Sequence, residues 1–175
     1  MSGKISGRDR SFYLEDVSVG QRFSTGSLEL DETQIKTFAA QFDPQPFHLD
    51  AEIAKATLFG GLVASGWHTA AITMRLLVTS GIPLAWGMIG TECSVKWPNP
   101  ARPRDTLTVH GEVTQVKPSR SRPDRGTINI IAETRNQRDD VLQILTATLL
   151  VPRRSAEDQS GRLRSDIDAK SRKRQ

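Results

Sequence analysis

One long amphipathic helix, followed by nothing but strands, is the feature that most limits what this chain can become. Over residues 65–80, Trp67, Ala70, Ala71, Met74, Leu77 and Val78 recur at helical spacing, which predicts one buried stripe. Ser65 suits the cap, Gly81 the stop, and Pro83 prevents continuation. Beyond Trp86 the pattern changes to strands, over residues 92–97, 106–116, 127–134 and 141–151. In the first of these, Cys93, Val95 and Trp97 share a face. Pro98-Asn99-Pro100, Pro118-Ser119, Pro123-Asp124 and residues 136–140 supply the turns. Strands this close in sequence read as an antiparallel meander, and a sheet beside a long helix reads as α+β.

The upstream third is built from shorter pieces. Residues 12–23 mix apolar residues with a Val19-Gly20 turn and read as an arm laid over the fold, leading into a strand over 22–30. Asp31 and Gln34 have the spacing of a capping box. Ile35, Phe38, Ala39 and Phe42 then repeat with helical period and predict a buried stripe. Asp50 suits the cap of a short helix over 51–57, with Ile53 and Ala56 inward.

Between those helices lies Phe42-Asp43-Pro44-Gln45-Pro46-Phe47-His48. Five residues of helix would turn Asp43 and His48 to roughly opposite sides, and the two prolines argue for a stiff, non-helical segment instead. A carboxylate and an imidazole facing one point are suited to moving protons. Downstream, Gly60-Gly61 precedes the apolar Leu62-Val63-Ala64, and Ser65-Gly66-Trp67-His68 opens the long helix. Unpaired N–H groups there can hold developing negative charge, and Gly66 lets a ligand come close.

Asp43, Pro46 and His48, with the short helix and the Ser65-Gly66-Trp67 turn beyond, resemble the MaoC-like acyl dehydratases, also called R-specific enoyl-CoA hydratases. Their signature reads roughly Ser/Thr-Gly-Asp-x-Asn-Pro-aliphatic-His. The Asp-to-His spacing and the proline two before His match; Phe42, Gln45 and Phe47 depart from it. A glycine in place of Phe42 would permit backbone conformations that Phe resists, and both phenylalanines add bulk that can narrow a pocket. The resemblance runs from about Tyr13 to Pro152. It implies a single hotdog fold, a long central helix wrapped by an antiparallel sheet, and at least a homodimer. It further implies hydration of a trans-2-enoyl thioester, or dehydration of an (R)-3-hydroxyacyl thioester. Asp43 and His48 would activate water in that reaction, with base and acid left open between them. Backbone at Gly66 would form the oxyanion site, with Ser65, Trp67 and Gln45 around the substrate. No metal is implied, and no cofactor beyond the coenzyme A of the substrate. Arg102 and Arg104, or Arg120 and Arg122, read as solvated loop residues, with contact to its phosphates as the alternative. His68 reads as a packing residue near the helix start, His110 as a structural or exposed strand residue, and the bulk of Trp67 as core.

Composition narrows the alternatives. At 175 residues the chain suits one domain, with 37% hydrophobic and 25% charged residues. The single cysteine, Cys93, leaves no intramolecular disulfide and no multi-cysteine metal site, and favours the cytoplasm. The first residues carry charge without an apolar run, unlike a secretory signal, and no stretch is long and apolar enough for a membrane span. The net charge is +4, but residues 152–175 hold eight Lys or Arg against four acids, so residues 1–151 balance. The division is therefore 1–11 as a flexible N-terminus, 12–152 as the domain and 153–175 as a basic, disordered tail. Nucleic acid is not the expected partner. The other functions weighed are a hotdog thioesterase and a non-catalytic acyl-thioester-binding module.

Overall fold

The computed structural model describes residues 11–155. Most of the N-terminal segment and the tail from 156 onward lie outside the described residues. The chain runs through β1 (Arg22–Glu29), α1 (Glu32–Phe42), α2 (Pro46–Leu49), α3 (Ala51–Lys55), α4 (Gly66–Ser80), β2 (Ile89–Lys96), β3 (Thr106–Pro118), β4 (Arg125–Arg135) and β5 (Val141–Pro152). The strands form one antiparallel sheet in the order β1-β3-β4-β5-β2. With α4 lying on its inner face, this is a hotdog fold.

Strands β3, β4 and β5 are the expected meander. β2 is not part of it: it passes over two strands and pairs with β5 at the far edge. The pairing of Val95 with Leu145 and Cys93 with Ala147 extends the inner face by one more strand. Turn chemistry predicts which strands neighbour each other only across short turns, and β2 to β3 is not a hairpin.

Alternation decides the core. Leu107, Val109 and Val113 of β3, Ile128, Ile130 and Ala132 of β4, and Leu145, Ala147, Leu149 and Val151 of β5 all point inward and are buried. They close on Ile72, Leu76 and Leu77 of α4. Each large aliphatic side chain in this layer contributes about 1.5–3 kcal/mol by leaving water.

The expected stripe of α4 is the wrong one. Of its six residues only Leu77 is buried; Trp67, Ala71, Met74 and Val78 are exposed. The covered face is His68, Thr69, Ile72, Thr73, Leu76 and Leu77. Its threonines satisfy themselves: Thr73 donates to the Thr69 carbonyl at 2.9 Å, and its hydroxyl lies 2.6 Å from that of Thr134, whereas the buried His68 Nδ1 has no partner among the described residues. Threonines made invisible by such bonds are read as surface by any apolar count.

Smaller departures have the same origin. In α1, Ile35 and Ala39 are buried but Phe42 is 67% exposed. In α3, which ends at Lys55, Ala54 is buried while Ile53 and Ala56 face out. The N-terminal arm behaves as expected: Phe12 pairs with Leu84, and Leu14 is buried. At the other end Arg153 binds Glu15 and Arg154 binds Asp16, so the first two residues of the basic segment pack on that arm.

Candidate active site

Both expected caps are present where the helices meet. Asp31 accepts from the Gln34 N–H at 2.7 Å, and Gln34 returns a bond to the Asp31 N–H, which closes the capping box. Asp50 accepts from Glu52 and Ile53. Such caps are worth about 1 kcal/mol each, and here they fix both flanks of the segment between Asp43 and His48. The expectation of a non-helical segment fails in its second half. Asp43 ends α1, and Pro46 starts the one-turn helix α2 that carries His48. Proline at the first helical position loses no hydrogen bond, so the second proline initiates a turn rather than preventing one.

The result is a face-to-face pair. His48 Nε2 stands 3.4 Å from Asp43 Oδ2. The imidazole is buried and its Nδ1 lies 2.8 Å from the Val63 carbonyl. A carbonyl only accepts, so Nδ1 carries the proton and Nε2 is the atom left to exchange one. Asp43 is held as firmly. Its carboxyl lies below the usual carboxylate range, chiefly because the Ser65 hydroxyl donates to it. Burial opposes that shift; the Gln45 amide, at 2.8 Å, and the nearby His48 reinforce it.

Ser65 thus serves two neighbours. Its oxygen accepts from the Trp67 N–H at 3.2 Å as the cap of α4, while its proton is directed to Asp43. The first N–H of the helix, at Gly66, has no acceptor among the described residues. It borders a cavity of about 610 Å³ that also takes in Asp43, Gln45, His48, Ser65 and Trp67. All six residues expected from the sequence therefore line one cavity.

Further residues complete it. Trp97 forms a wall: its indole N–H donates to the buried Gln143 at 2.9 Å, and its ring meets Trp67 edge-on at 5.3 Å. A Cβ at Gly66 would come within 2.8 Å of the Trp97 ring, so a larger residue there would have to displace the ring. Trp67 itself is 62% exposed at the rim and is not core. Nothing in the alternation of β2 marked Trp97 as a cavity wall, and no local pattern could mark the Val63 carbonyl as the partner of His48.

The two aromatic departures part company. Phe42 is an ordinary last residue of α1 whose side chain turns away from the cavity, and Asp43 follows it at φ −155°. No left-handed conformation is demanded, so a glycine is not needed. Phe47 does line the cavity, beside Phe59 at 5.2 Å, and takes up space there. Of the four loop arginines, only Arg102 reaches the cavity. His68 is buried, stacked on Phe38 at 4.6 Å, with burial holding its pKa below 6.5. His110 is exposed on β3, its ring nitrogen 3.1 Å from the Ser24 hydroxyl.

A hotdog unit with an Asp–His pair at the mouth of its central helix defines a class, and the comparisons agree. A family model described as MaoC like domain matches residues 16–136, so the chain belongs to the MaoC-like dehydratase family. It is 34% identical over 127 residues to YdeM of Bacillus subtilis (strain 168), an uncharacterized protein, covering 72% of this chain and 89% of that one. It is 31% identical over 109 residues to an (R)-specific enoyl-CoA hydratase of Rhodospirillum rubrum, covering 62% and 74%. Among solved structures, a MaoC-like dehydratase from Rhodospirillum rubrum superposes with a TM-score of 0.81 at 54% identity, covering 83% of this chain and 99% of its own. An R-hydratase from Pseudomonas aeruginosa shares the fold, with a TM-score of 0.65 at 24% identity.

Proposed function

We propose that this protein adds water to trans-2-enoyl-CoA thioesters, or removes it from (R)-3-hydroxyacyl-CoA, with Asp43 and His48 as the catalytic pair. The observation that carries this reading is the 3.4 Å approach of His48 Nε2 to Asp43 Oδ2 inside the cavity that holds the Gly66 N–H. A water seated between two acceptors donates one O–H to each. One of the pair takes a proton as the water oxygen bonds to C3, and a proton is returned to C2, so the sum is H and OH across the double bond. Meanwhile charge gathers on the thioester oxygen, where the Gly66 N–H at the positive end of α4 can receive it. Ser65 and Gln45 orient the carboxylate and keep it ionised.

The reaction as proposed needs no cofactor beyond the coenzyme A of its substrate. We place it in the cytoplasm and in a homodimer. Edge strand β2 is exposed everywhere but at Val95, and the exposed Trp67, Ala71 and Met74 of α4 lie on the helix whose start touches the end of that strand. A second copy would cover both.

The test is loss of the enoyl-thioester absorbance of crotonyl-CoA, for the wild type beside Asp43→Asn and His48→Ala. Loss that either substitution abolishes supports the reading; normal turnover in both variants ends it. A hotdog thioesterase would instead release free thiol, which a thiol reagent detects in the same cuvette.

A further inference from the structure

The cavity has a deep end and an exposed rim, and one cationic side chain lines it. At the deep end the side chains of His48 and Asp43 are 6% and 18% exposed. At the rim stand Leu58, 91% exposed, together with Pro98 and Asn99. Arg102 is the only Lys or Arg among the lining residues.

Its position is built rather than incidental. The preceding carbonyl, of Ala101, accepts from the Ala64 N–H at 2.9 Å, immediately before the Ser65 cap. Its own N–H donates to the buried Asp105 at 2.8 Å, and Asp105 is in turn held by Asn136 and Arg138. One Nη donates to the Phe59 carbonyl at 2.7 Å, and the other lies 3.6 Å from where a Cβ at Gly61 would stand. That is ordinary van der Waals range, so the guanidinium packs directly against the loop at Gly61, whose φ is +158°. One of its five N–H groups is spent on Phe59; the remaining donors have no acceptor among the described residues. Arg104, Arg120 and Arg122 are all exposed and border no part of the cavity.

We propose that Arg102 is the specificity residue that reads a phosphate on the carrier arm of the thioester, an inference that rests on the function proposed above. The reacting end of such a ligand sits deep against Asp43 and His48, and its carrier arm must leave over the rim. A fixed guanidinium there meets the arm's anionic group with preorganised donors. The role is recognition, since the bonds of Arg102 go to Phe59 and Asp105 and none goes to Asp43 or His48.

Calorimetry on the full chain tests this without requiring turnover. The ligands are butyryl-CoA, which is unreactive, and the butyryl thioester of N-acetylcysteamine, which lacks phosphate. Arg102→Gln retains a donor for the Phe59 carbonyl while removing the charge; Arg102→Ala removes both. Both variants should weaken butyryl-CoA binding tenfold or more, change the phosphate-free thioester less than twofold, and reduce the salt dependence of binding. Equal weakening of both ligands, or no effect on butyryl-CoA, overturns the assignment. So does an effect confined to a succinyl thioester of N-acetylcysteamine, which would mean that Arg102 reads a carboxylate on the acyl chain. Arg102-dependent binding in a protein that hydrates no enoyl thioester would leave the phosphate site standing and refute the reaction. Hydration with Arg102-independent binding would do the reverse.

Discussion

At the scale of single residues, the site works by spending hydrogen bonds on orientation. Val63 fixes which nitrogen of His48 can exchange a proton, and Ser65 and Gln45 fix the carboxylate that faces it. Asp43→Asn should lower kcat at least a hundredfold in the crotonyl-CoA assay, with the chain still folded and its melting temperature modestly lower. Its pH signature follows from linkage. The folded pKa of Asp43 lies below its ordinary 3.8, so the stability it contributes is complete above about pH 4 and is lost as pH falls through the folded value. Denaturant titrations should therefore show a shallower acid loss in Asp43→Asn and an unchanged slope near neutrality. His68 is the second titration point. Its pKa is lowered from 6.5 by burial, so the unfolded chain takes up that proton first, and stability present above pH 6.5 is lost below it. His68→Phe, which keeps the stack on Phe38, should flatten stability between pH 7 and 5.

Among elements, the junction of α4 with the end of β2 is the tightest constraint on the cavity. Gly66, Trp97 and Gln143 form one unit, because the indole can reach the buried amide only while it lies across a residue with no Cβ. Gly66→Ala should force the ring off that position, cost about 1–3 kcal/mol, and shift tryptophan emission. Wild-type stability and emission in that variant would mean that the ring moves freely. The loop of residues 97–105 is fixed from both ends, by Gln143 on Trp97 and by Asn136 and Arg138 on Asp105. Elements distant in sequence thereby aim a short irregular segment at the site.

For the whole molecule, the uncovered side of α4 and the open edge of β2 are the features a single chain leaves unfinished. Sedimentation should give a dimer, and Met74→Lys should shift it toward monomer at micromolar concentration while far-UV circular dichroism stays unchanged. A monomeric wild type at those concentrations would remove the dimer from the proposal. The described residues contain no helix long and apolar enough to cross a membrane.

Local chemistry was legible in the sequence because it is decided locally. The capping box at Asp31, the cap at Asp50, the stop at Gly81 and the alternation of β3 to β5 depend on residues within a few positions of one another. The Asp43–His48 spacing likewise marked a pair that does meet, although Pro46 begins a helical turn where a non-helical segment was expected. What only the tertiary structure decided is what covers each face. An apolar stripe says that a helix has a face to bury, and not which neighbour will bury it. Thr69 and Thr73 went inside on hydrogen bonds, while Trp67 and Met74 stayed out. The crossing of β2 to β5, the Val63 acceptor and the Trp97 wall are all contacts between distant segments. They exist because the sheet closes around α4, a condition that no window of sequence contains.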